Sequence, residues 1–298
     1  MNKVSLSYNK KPGVWIALLK ALLLPRKGFD AGVGLPDIQA RWQCARTDPG
    51  SLKSYCSTLD IKPTGHLPIA YPHVIAGPMH INMLSHQTFP IRLLGALHLK
   101  NRIVQYRPIG LDEIIDIDAK PVDFRLVDKG VEFDLVTRFS VDGKPVWKET
   151  SIYFVRGRFG GEVSPATDKS FELTSLPETD LLYSWHIPKN RGRQYARLSG
   201  DYNPIHVSAL AARTFGFECD IAHGFGVLAQ ALEYSKRLGD AGVDGKAVQV
   251  DVAFKGPVFL GSDVSIRQNP DVSADRFDVY CDDNSKPSLC VAVYGIVV

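Results

Sequence analysis

Residues 107–120 read RPIGLDEIIDIDAK, and residues 256–269 read GPVFLGSDVSIRQN. The two stretches lie about 150 residues apart, and each runs from a proline-containing turn into alternating β-branched and polar residues, the pattern of a strand. Three further pairs of segments recur in the same order: 142–155 with 284–297, 74–78 with 220–224, and 60–63 with 201–204. Four matches in one order indicate a duplicated domain.

Each repeat places helical material ahead of a run of strands. In the second half, the sequence predicts helices over 204–215 and 225–238, stopped at Gly216 and Gly239. The predicted strands of the second half are 246–258, 263–268, 276–282 and 288–298. Those of the first half are 101–109, 113–130, 131–143 and 146–157. A helix followed by antiparallel strands, twice over, predicts an α+β fold in which each sheet wraps a helix, a double hot-dog.

The same pattern divides the chain into four parts. Residues 1–37 form a basic, amphipathic extension, and residues 38–156 form the first hot-dog unit. Residues 157–178 are rich in Gly, Pro, Ser and Thr, which is typical of a linker. Residues 179–298 form the second unit.

The extension contains basic residues and no acid before residue 29. Its apolar run 14–24 is interrupted by Lys20 and is too short to span a bilayer. The 3/4 spacing of its large apolar residues predicts an amphipathic helix docked on the body of the protein: Trp15, Leu18, Leu19, Leu22 and Leu23. Contact with a membrane surface and a mitochondrial transit peptide are the alternatives.

Composition favours an ordinary globular protein. The net charge of +3 is too balanced to indicate a nucleic-acid-binding protein. The five cysteines are scattered, with no CxxC, which predicts buried thiols in a reducing compartment and neither a disulfide framework nor a zinc site. We therefore expect a cytoplasmic protein, or a mitochondrial one if the extension is a transit peptide.

Residues 199–212, SGDYNPIHVSALAA, combine a helix start with two chemically active side chains. A helix start accounts for Gly200, for Asn203 as the N-cap and for Pro204 in the first turn. It does not require Asp201 or His206. At the third position of the predicted helix the imidazole would be neutral, and a neutral imidazole beside a carboxylate can hold and polarise water. Spacing alone also allows surface polar residues at a helix start.

Two motifs carry a resemblance to a known family. Residues 195–208, YARLSGDYNPIHVS, resemble the signature of R-specific enoyl-CoA hydratases and MaoC-like dehydratases, and residues 222–230, AHGFGVLAQ, resemble the next motif of that family. The resemblance covers the second half, while the first half resembles the degenerate leading unit of the double hot-dog members. It implies a hydro-lyase of fatty acid metabolism that reversibly hydrates trans-2-enoyl thioesters and dehydrates (R)-3-hydroxyacyl thioesters. The substrate would be carried by coenzyme A or acyl carrier protein, with no metal or redox cofactor.

The resemblance also implies the residues of the site. Asp201 and His206 would hold the reacting water, and the N–H of Gly224 would stabilise the enolate oxygen. Asn203 would orient the turn. The residues placed around substrate or in support of the pair are Tyr195, Arg197, His223 and Phe225, with His223 mainly structural.

The internal alignment predicts that the first half is inert. It matches Gly224 with Pro78, which has no N–H, and His206 with Gly65 or His66. Asp60 and His66 are therefore interpreted as loop residues. The segment after Asp60 is also too short for the helix that caps the site in the second half, and its loss would widen the acyl tunnel.

Several alternatives remain open at this point. The basic residues Lys189, Arg191, Arg193 and Arg197 could bind the phosphates of coenzyme A, attract an acidic carrier protein, or simply be solvated. The fold could serve a non-catalytic acyl-thioester binding module, or a thioesterase with Glu233 as its carboxylate. A metal hydrolase would use Asp201, His206 and His223. A homodimer is also compatible with the sequence.

Overall fold

A computed structural model describes residues 3–23, 28–91, 96–159, 161–163, 172–236 and 247–296. The first half contains β1 (Val4–Tyr8), α1 (Trp15–Leu23), β2 (Ile38–Ala45), α2 (Pro49–Leu59), α3 (Tyr71–Leu84), β3 (Leu97–Gln105), β4 (Ile115–Val127), β5 (Gly130–Val141) and β6 (Lys144–Arg156). The second half contains β7 (Asp180–His186), α4 (Arg191–Ser199), a 3-10 turn (Pro204–His206), α5 (Ala209–Thr214), α6 (Gly224–Ser235), β8 (Ala247–Phe254), β9 (Asp263–Gln268), β10 (Arg276–Cys281) and β11 (Leu289–Ile296).

All the described strands belong to one sheet. Its order is β1-β2-β4-β5-β6-β3-β8-β11-β10-β9-β7, with β1 and β2 parallel and the other neighbours antiparallel. The helices α3 and α6 are each buried over most of their length against this sheet. This arrangement confirms the predicted double hot-dog of the α+β class.

The two halves meet at β3 and β8 about an approximate two-fold axis. Arg102 lies opposite Asp251 at the centre of the pairing, and the guanidinium donates two hydrogen bonds of 2.8 and 2.9 Å to that carboxylate. The flanking pairs are arranged symmetrically, with Lys100 opposite Ala253 and Val104 opposite Gln249. A separation of 149 residues between Arg102 and Asp251 also relates Pro108 to Pro257, so the structure supports the duplication in the strands.

The predicted alignment of the segments before the central helices is wrong. The Leu67 N–H donates to Ile109, and the Ala222 N–H donates to Val258 in the equivalent place. These bonds equate Ile69, not Pro78, with Gly224, because Pro78 lies well inside α3. The resemblance between the two short segments is therefore not a structural equivalence. Because Ile69 has a backbone N–H, the predicted lack of this donor in the first half is wrong.

The match of Asp60 with Asp201 is displaced by one residue. Asp60 and Gly200 both end a helix in the left-handed conformation, and their N–H groups donate to Cys56 and Ala196 in the same way. The described segment 60–70 contains no helix, whereas residues 200–223 contain the 3-10 turn and α5. The predicted absence of the capping helix from the first half is thus confirmed.

Two predicted helices differ in their bounds. The helix predicted over 204–215 is divided, since the 3-10 turn ends at His206 and the hydroxyl of Ser208 caps a new helix by accepting from Ala211. His206 therefore does not lie in the first turn of an α-helix. Helix α6 ends at Ser235, with Lys236 in the left-handed conformation, and the predicted stop at Gly239 lies outside the described residues.

The N-terminal helix α1 docks on α3, as predicted, but by a different face. The Asn82 side chain donates to the Gly13 carbonyl, and Trp15 packs against Tyr202 with ring centroids 4.7 Å apart. Trp15, Leu19 and Leu23, three members of the predicted docking face, are each more than half exposed. Among the described residues, no helix has the length and apolar character to cross a membrane.

The described part of the predicted linker lies against the second half. The N–H of Leu176 donates to the Asp278 carboxylate at 2.7 Å, and Asn269 donates to the carbonyls of Pro177 and Glu178. Strands β1, β2 and β7 were not predicted from the sequence.

Candidate active site

A cavity of about 400 Å³ lies where the two halves meet, and both halves line it. The second half contributes Asp201, His206 and Gly224, and the first half contributes α3 and β3. Gly77 brings these parts together, since a Cβ on it would lie 2.6 Å from the carbonyl oxygen of Ser199. The absence of a side chain at Gly77 therefore lets α3 approach the end of α4, directly before the turn that carries Asp201.

The turn after α4 is fixed by its own side chains. Gly200 ends the helix with φ +80°, a conformation that glycine adopts without strain. The Asn203 N–H donates to Asp201 Oδ1 at 3.0 Å, and the Asn203 side chain accepts from Ile205 as the cap of the 3-10 turn. Asn203 is therefore an N-cap, as predicted, and its backbone orients the Asp201 carboxylate.

His206 is held as a buried imidazole with one nitrogen committed. Its Nδ1 lies 2.9 Å from the Ile221 carbonyl oxygen, to which it donates, so Nε2 is left as the lone-pair acceptor of the neutral ring. Burial lowers the pKa of His206 and outweighs the opposing effects of Asp201 and the Ile221 carbonyl. Gly192 makes room for this loop, because a Cβ there would fall 1.8 Å from the His206 carbonyl oxygen.

Asp201 is ionised in this setting. Burial by itself would raise the pKa of Asp201, but the imidazoles of His223 and His206 and the N–H of Asn203 together lower it. The carboxylate lines the cavity with 49% of the side chain accessible. Among the described residues that line the cavity, Asp201 is the one carboxylate.

His223 contacts both Asp201 and His206. Its Nε2 donates to the Asp201 carbonyl oxygen at 3.0 Å, and its ring stacks on His206 with centroids 3.8 Å apart. Burial lowers the pKa of His223 to about 3, so the ring is neutral. These contacts agree with the predicted structural role of His223.

The same three side chains are the one group among the described residues whose ligand atoms lie close enough to hold a metal ion, all within 4.8 Å. The geometry fits an ion poorly. His206 Nδ1 and His223 Nε2 already donate to carbonyl oxygens, and the stacked rings have nearly parallel planes, 28° apart. An ion in the plane of one ring would therefore lie out of the plane of the other, whereas imidazole ligands direct their lone pairs at the metal in the ring plane.

Gly224 begins α6 immediately after His223 and lines the cavity. The first N–H groups of a helix have no acceptor within the helix, so the Gly224 N–H is free to donate to a substrate oxygen. A Cβ on Gly224 would lie 2.7 Å from the ring of Phe254. The close ring explains why glycine suits this position.

The remaining predicted residues are not all at the site. Tyr195 and Phe225 line the cavity, and the ring of Tyr195 packs 4.8 Å from that of His223. The Tyr195 hydroxyl is buried without a hydrogen-bond partner. Arg197, in contrast, is exposed and does not line the cavity.

The predicted cluster of basic residues before the turn does not line the cavity. The Arg193 side chain donates to Val207, the Lys189 side chain packs on Gly261, and Arg191 is half-buried. Among the described residues, the lysine or arginine that lines the cavity is Lys255, which sequence reasoning missed. It directly follows β8 and immediately precedes the repeated stretch 256–269.

Residues proposed for the alternative functions lie elsewhere. Glu233 accepts a hydrogen bond from the Lys62 N–H and does not line the cavity. Asp60 accepts from Tyr234, and His66 lies exposed in a loop. All five cysteines are free, and none lines the cavity, although Cys44 is exposed rather than buried as expected.

Sequence reasoning also missed a polar group on the first-half side of the cavity. His73, His80 and His98 line it, and the buried carboxylate of Glu149 lies behind His73. His73, Gly77 and His80 occur at 3/4 spacing, which predicts a common helix face once α3 is recognised.

Comparisons with known proteins agree with this fold. Residues 166–279 match the family model described as the MaoC like domain. The chain is 31% identical over 216 residues to 3-hydroxyacyl-thioester dehydratase X of Mycobacterium tuberculosis, covering 72% of this chain and 73% of that protein. The fold and the site thus define an enzyme class, the hot-dog hydratases and dehydratases of acyl thioesters.

Within that class, the chain belongs to the MaoC-like dehydratase family. The crystal structure of HtdX of Mycobacterium tuberculosis superposes with a TM-score of 0.71 at 24% identity, covering 87% of this chain and all of that one. A second Mycobacterium tuberculosis protein, described as a double hotdog fold, superposes with a TM-score of 0.53 at 13% identity, covering 85% of this chain and 96% of that one.

Proposed function

We propose that this protein catalyses the reversible hydration of trans-2-enoyl thioesters and the dehydration of (R)-3-hydroxyacyl thioesters. The observation that carries the proposal is a carboxylate, Asp201, and an imidazole, His206, whose polar atoms lie within 4.8 Å of each other on the wall of the cavity that Gly224 also lines. An acyl-thioester dehydratase among the relatives supports the same chemistry.

The pair is arranged to hold one water molecule. The Asp201 carboxylate and His206 Nε2 both accept hydrogen bonds, so a water between them donates to both and directs an oxygen lone pair at C3. As the C3–O bond forms, one water proton passes to the pair, and the pair delivers a proton to C2. Water adds as OH on C3 and H on C2, and the enzyme is returned unchanged. Dehydration follows the same path in reverse.

Gly224 stabilises the charge that develops on the thioester. During addition, the C2–C3 π electrons move toward the carbonyl and place negative charge on its oxygen. The Gly224 N–H, at the N-terminus of α6, is preorganised to donate to that oxygen, and the helix dipole adds to the effect.

We propose that the reaction needs no metal or redox cofactor. The thioester makes the C2 proton sufficiently acidic once its oxygen is stabilised, and the Asp201, His206 and His223 group is used for internal hydrogen bonds. Activity is therefore expected to survive prolonged treatment with a chelator. A loss that is restored by one divalent metal would contradict this proposal.

The carrier, assembly and location are finer proposals. Lys255 lines the cavity and suits a phosphate of a pantetheine carrier, either coenzyme A or acyl carrier protein. We propose a cytoplasmic protein, which five free thiols support, and a homodimer is compatible with the exposed face of α1.

The test follows the loss of the ultraviolet absorbance of enoyl thioesters over a series of chain lengths, on coenzyme A and on carrier protein. Asp201→Asn and His206→Gln should each lower kcat by about 10²- to 10⁴-fold, because each replaces a base of the proposed acid–base pair with an amide that cannot take up a proton. The matched controls His186→Gln and Asp263→Asn change an exposed His–Asp pair, 2.8 Å apart, away from the cavity. Controls that lose as much as the site variants would contradict the assignment.

Two other outcomes would replace the proposal. Tight binding without turnover on both carriers would make the protein a binding module. Release of free thiol from saturated acyl thioesters would make it a thioesterase.

A further inference from the structure

The first half presents a polar wall to the cavity, and the proposed reaction does not use it. The wall, here called the histidine wall, consists of His73, His80 and His98. The ring centroid of His73 lies 5.9 Å from those of His80 and His98. Three imidazoles on the lining of a cavity for an acyl chain are unexpected, because a hydrocarbon chain offers no hydrogen-bond partner to them.

The wall is built on a fully buried carboxylate. Glu149 accepts from His73 Nδ1 at 2.8 and 3.0 Å and from Asn101 at 2.9 Å, and the Ser151 hydroxyl also donates to it. Burial by itself would raise the pKa of Glu149, but His73, His80 and the Ser151 hydroxyl outweigh it and lower that pKa to about 2. Glu149 is thus an ionised group whose hydrogen bonds fix the orientation of His73.

This arrangement directs one edge of the His73 ring at the cavity. Nδ1 faces the buried Glu149, and one ring face is covered by Phe225, with centroids 3.7 Å apart and planes 12° apart. His73 lines the cavity with 15% of its side chain accessible, and its Nε2 is not among the buried atoms without a partner, so we infer that the edge carrying Nε2 faces the cavity. His80 is buried and His98 is partly buried, and desolvation lowers the pKa of His80 to about 4 and that of His98 to about 3, so both are neutral.

The second half shows that the fold does not require these polar groups. Arg102 and Asp251 are equivalent across the two-fold axis, and they pair with Thr150 and Ala292 on the next strands. Glu149 is therefore equivalent to Val291. By the same registers, the polar core residues Asn101, Ser151 and Thr137 are replaced by Val250, Val293 and Phe277.

Helix α3 also carries a polar residue where the equivalent helix α6 carries an apolar one. Counting from the equivalent hydrogen bonds of Leu67 and Ala222, His73 corresponds to Leu228 of α6. One copy of the unit thus builds an apolar core where the other builds a charged, hydrogen-bonded one beside the cavity. Within the described residues, the hydrogen bonds of His73 use Nδ1, and Nε2 has no protein partner. A polar atom of this kind on a cavity wall points to a ligand with a polar group of its own.

The wall lies beside the proposed oxyanion donor. Phe225 follows Gly224, whose N–H is assigned to the thioester oxygen, and His73 stacks on Phe225. Leu18, Ile81 and Leu84 continue the lining with apolar side chains. An acyl chain in this cavity would therefore contact polar groups along part of its length and apolar groups elsewhere.

We propose that the histidine wall is a subsite for a hydroxyl group on the acyl chain, and that the preferred substrates are enoyl thioesters hydroxylated a few carbons beyond C3. A hydroxyl group matches His73 Nε2 because it can either donate to that nitrogen or accept from it. A terminal carboxylate matches it poorly, because the ionised Glu149 lies behind the ring and repels a second anion. This inference rests on the proposed function and names its substrate class.

The test compares kcat/KM for enoyl-CoA substrates of one chain length. One substrate is unsubstituted, others carry a hydroxyl moved one carbon at a time from the fourth to the eighth carbon, and one carries a terminal carboxylate. The wild-type protein should prefer the hydroxylated chain at one or two neighbouring positions by about tenfold, the effect of one added hydrogen bond.

The matched variant is His73→Leu/Glu149→Val, which installs the side chains that the second half carries as Leu228 and Val291. Its ratio of kcat/KM for the hydroxylated and unsubstituted chains should fall to about one, a change that loss of stability alone would not produce. Thermal melting shows whether the variant folds. If it does not, the dependence of the wild-type kcat/KM on hydroxyl position still tests the subsite.

The possible results distinguish failure of the hydroxyl subsite from failure of the proposed hydratase function. Hydration of the unsubstituted chain with no gain from a hydroxyl at any position refutes the subsite and leaves the proposed function intact. A preference for the terminal carboxylate would also overturn it. No hydration of any enoyl thioester removes the function, and the inference falls with it.

Discussion

The Gly224 N–H can be removed without removing the helix that carries it. Gly224 is the first residue of α6, a position where proline is tolerated because its N–H has no partner within the helix. The preceding residue, His223, has φ −66° and ψ 123°, an extended conformation that also suits the residue before a proline. Gly224→Pro should therefore keep α6 and delete the donor.

A control is needed for the added Cβ. In either Gly224→Pro or Gly224→Ala, that atom would lie 2.7 Å from Cε1 of Phe254 and 2.8 Å from its Cδ1, so the ring must move. Gly224→Ala has the same Cβ and retains the N–H. The difference in kcat between the two variants then measures the effect of losing the N–H, together with that of the proline Cδ that replaces its hydrogen.

We expect Gly224→Pro to have a kcat about 10²- to 10³-fold below that of Gly224→Ala, because one oxyanion donor contributes about 2.7–4 kcal/mol to transition-state stabilisation. The assay is the enoyl-thioester absorbance under saturating substrate, with far-ultraviolet circular dichroism to confirm that the helix persists. Equal kcat values for the two variants would refute the assignment of this N–H to the reacting oxygen.

Three other perturbations have definite expected outcomes. Gly192→Ala should lower kcat about 100-fold with a native circular dichroism spectrum, because its Cβ would lie 1.8 Å from the His206 carbonyl oxygen and displace the catalytic loop; wild-type kcat would contradict this. Arg102→Met should reduce the free energy of unfolding by about 3 kcal/mol, because Asp251 keeps its hydrogen bond from Gln249 but is left buried without a cationic partner; Arg102→Met/Asp251→Leu should recover most of the loss in urea titrations. The free energy of unfolding should fall between pH 6.5 and 4 by up to about 4 kcal/mol per pH unit, as three neutral histidines of depressed pKa are protonated only in the unfolded chain. These histidines are His80, His98 and His223. Urea titrations across this pH range check the slope, with the exposed His66→Gln as control, and a flat profile would contradict the burial of neutral imidazoles.

The strands of the sheet could be predicted because they combine strong alternation with turn residues at both ends. The eight predicted strand segments correspond to β3–β6 and β8–β11. Strand β7 was missed because nearly all of its residues are exposed, so its sequence has no alternation between buried and exposed positions. Strand β1 is a short parallel addition, whose partner β2 is distant in sequence.

The catalytic turn could be predicted in part. The caps at Asn203 and the left-handed Gly200 follow from local rules, and the sequence also contains Ser208, a cap that explains why the helix divides after His206. The contact between His206 Nδ1 and the Ile221 carbonyl could not be predicted, because it joins two loops whose separation is set by tertiary packing.

The role of the histidine wall could not be predicted from local sequence. His73 and His80 could be placed on one helix face, but their meaning depends on Glu149, which is 76 residues from His73 in sequence. The two halves also had to be aligned by strand register before the equivalence of Glu149 and Val291 became visible. A repeat match based on short similar segments had placed Pro78, not Ile69, opposite Gly224.

The continuous sheet gives the subsite a consequence for specificity. β3 and β8 are hydrogen-bonded neighbours, and α3 abuts the end of α4 at Gly77 and Ser199, so the wall and the catalytic turn belong to one packed frame. A packed core of this kind resists small displacements. The distance from His73 to the proposed water site at Asp201 and His206 is therefore fixed, and the hydroxyl preference should peak sharply along the acyl chain. A broad preference over all positions would mean that the wall acts through general polarity and that His73 does not bind the hydroxyl group directly.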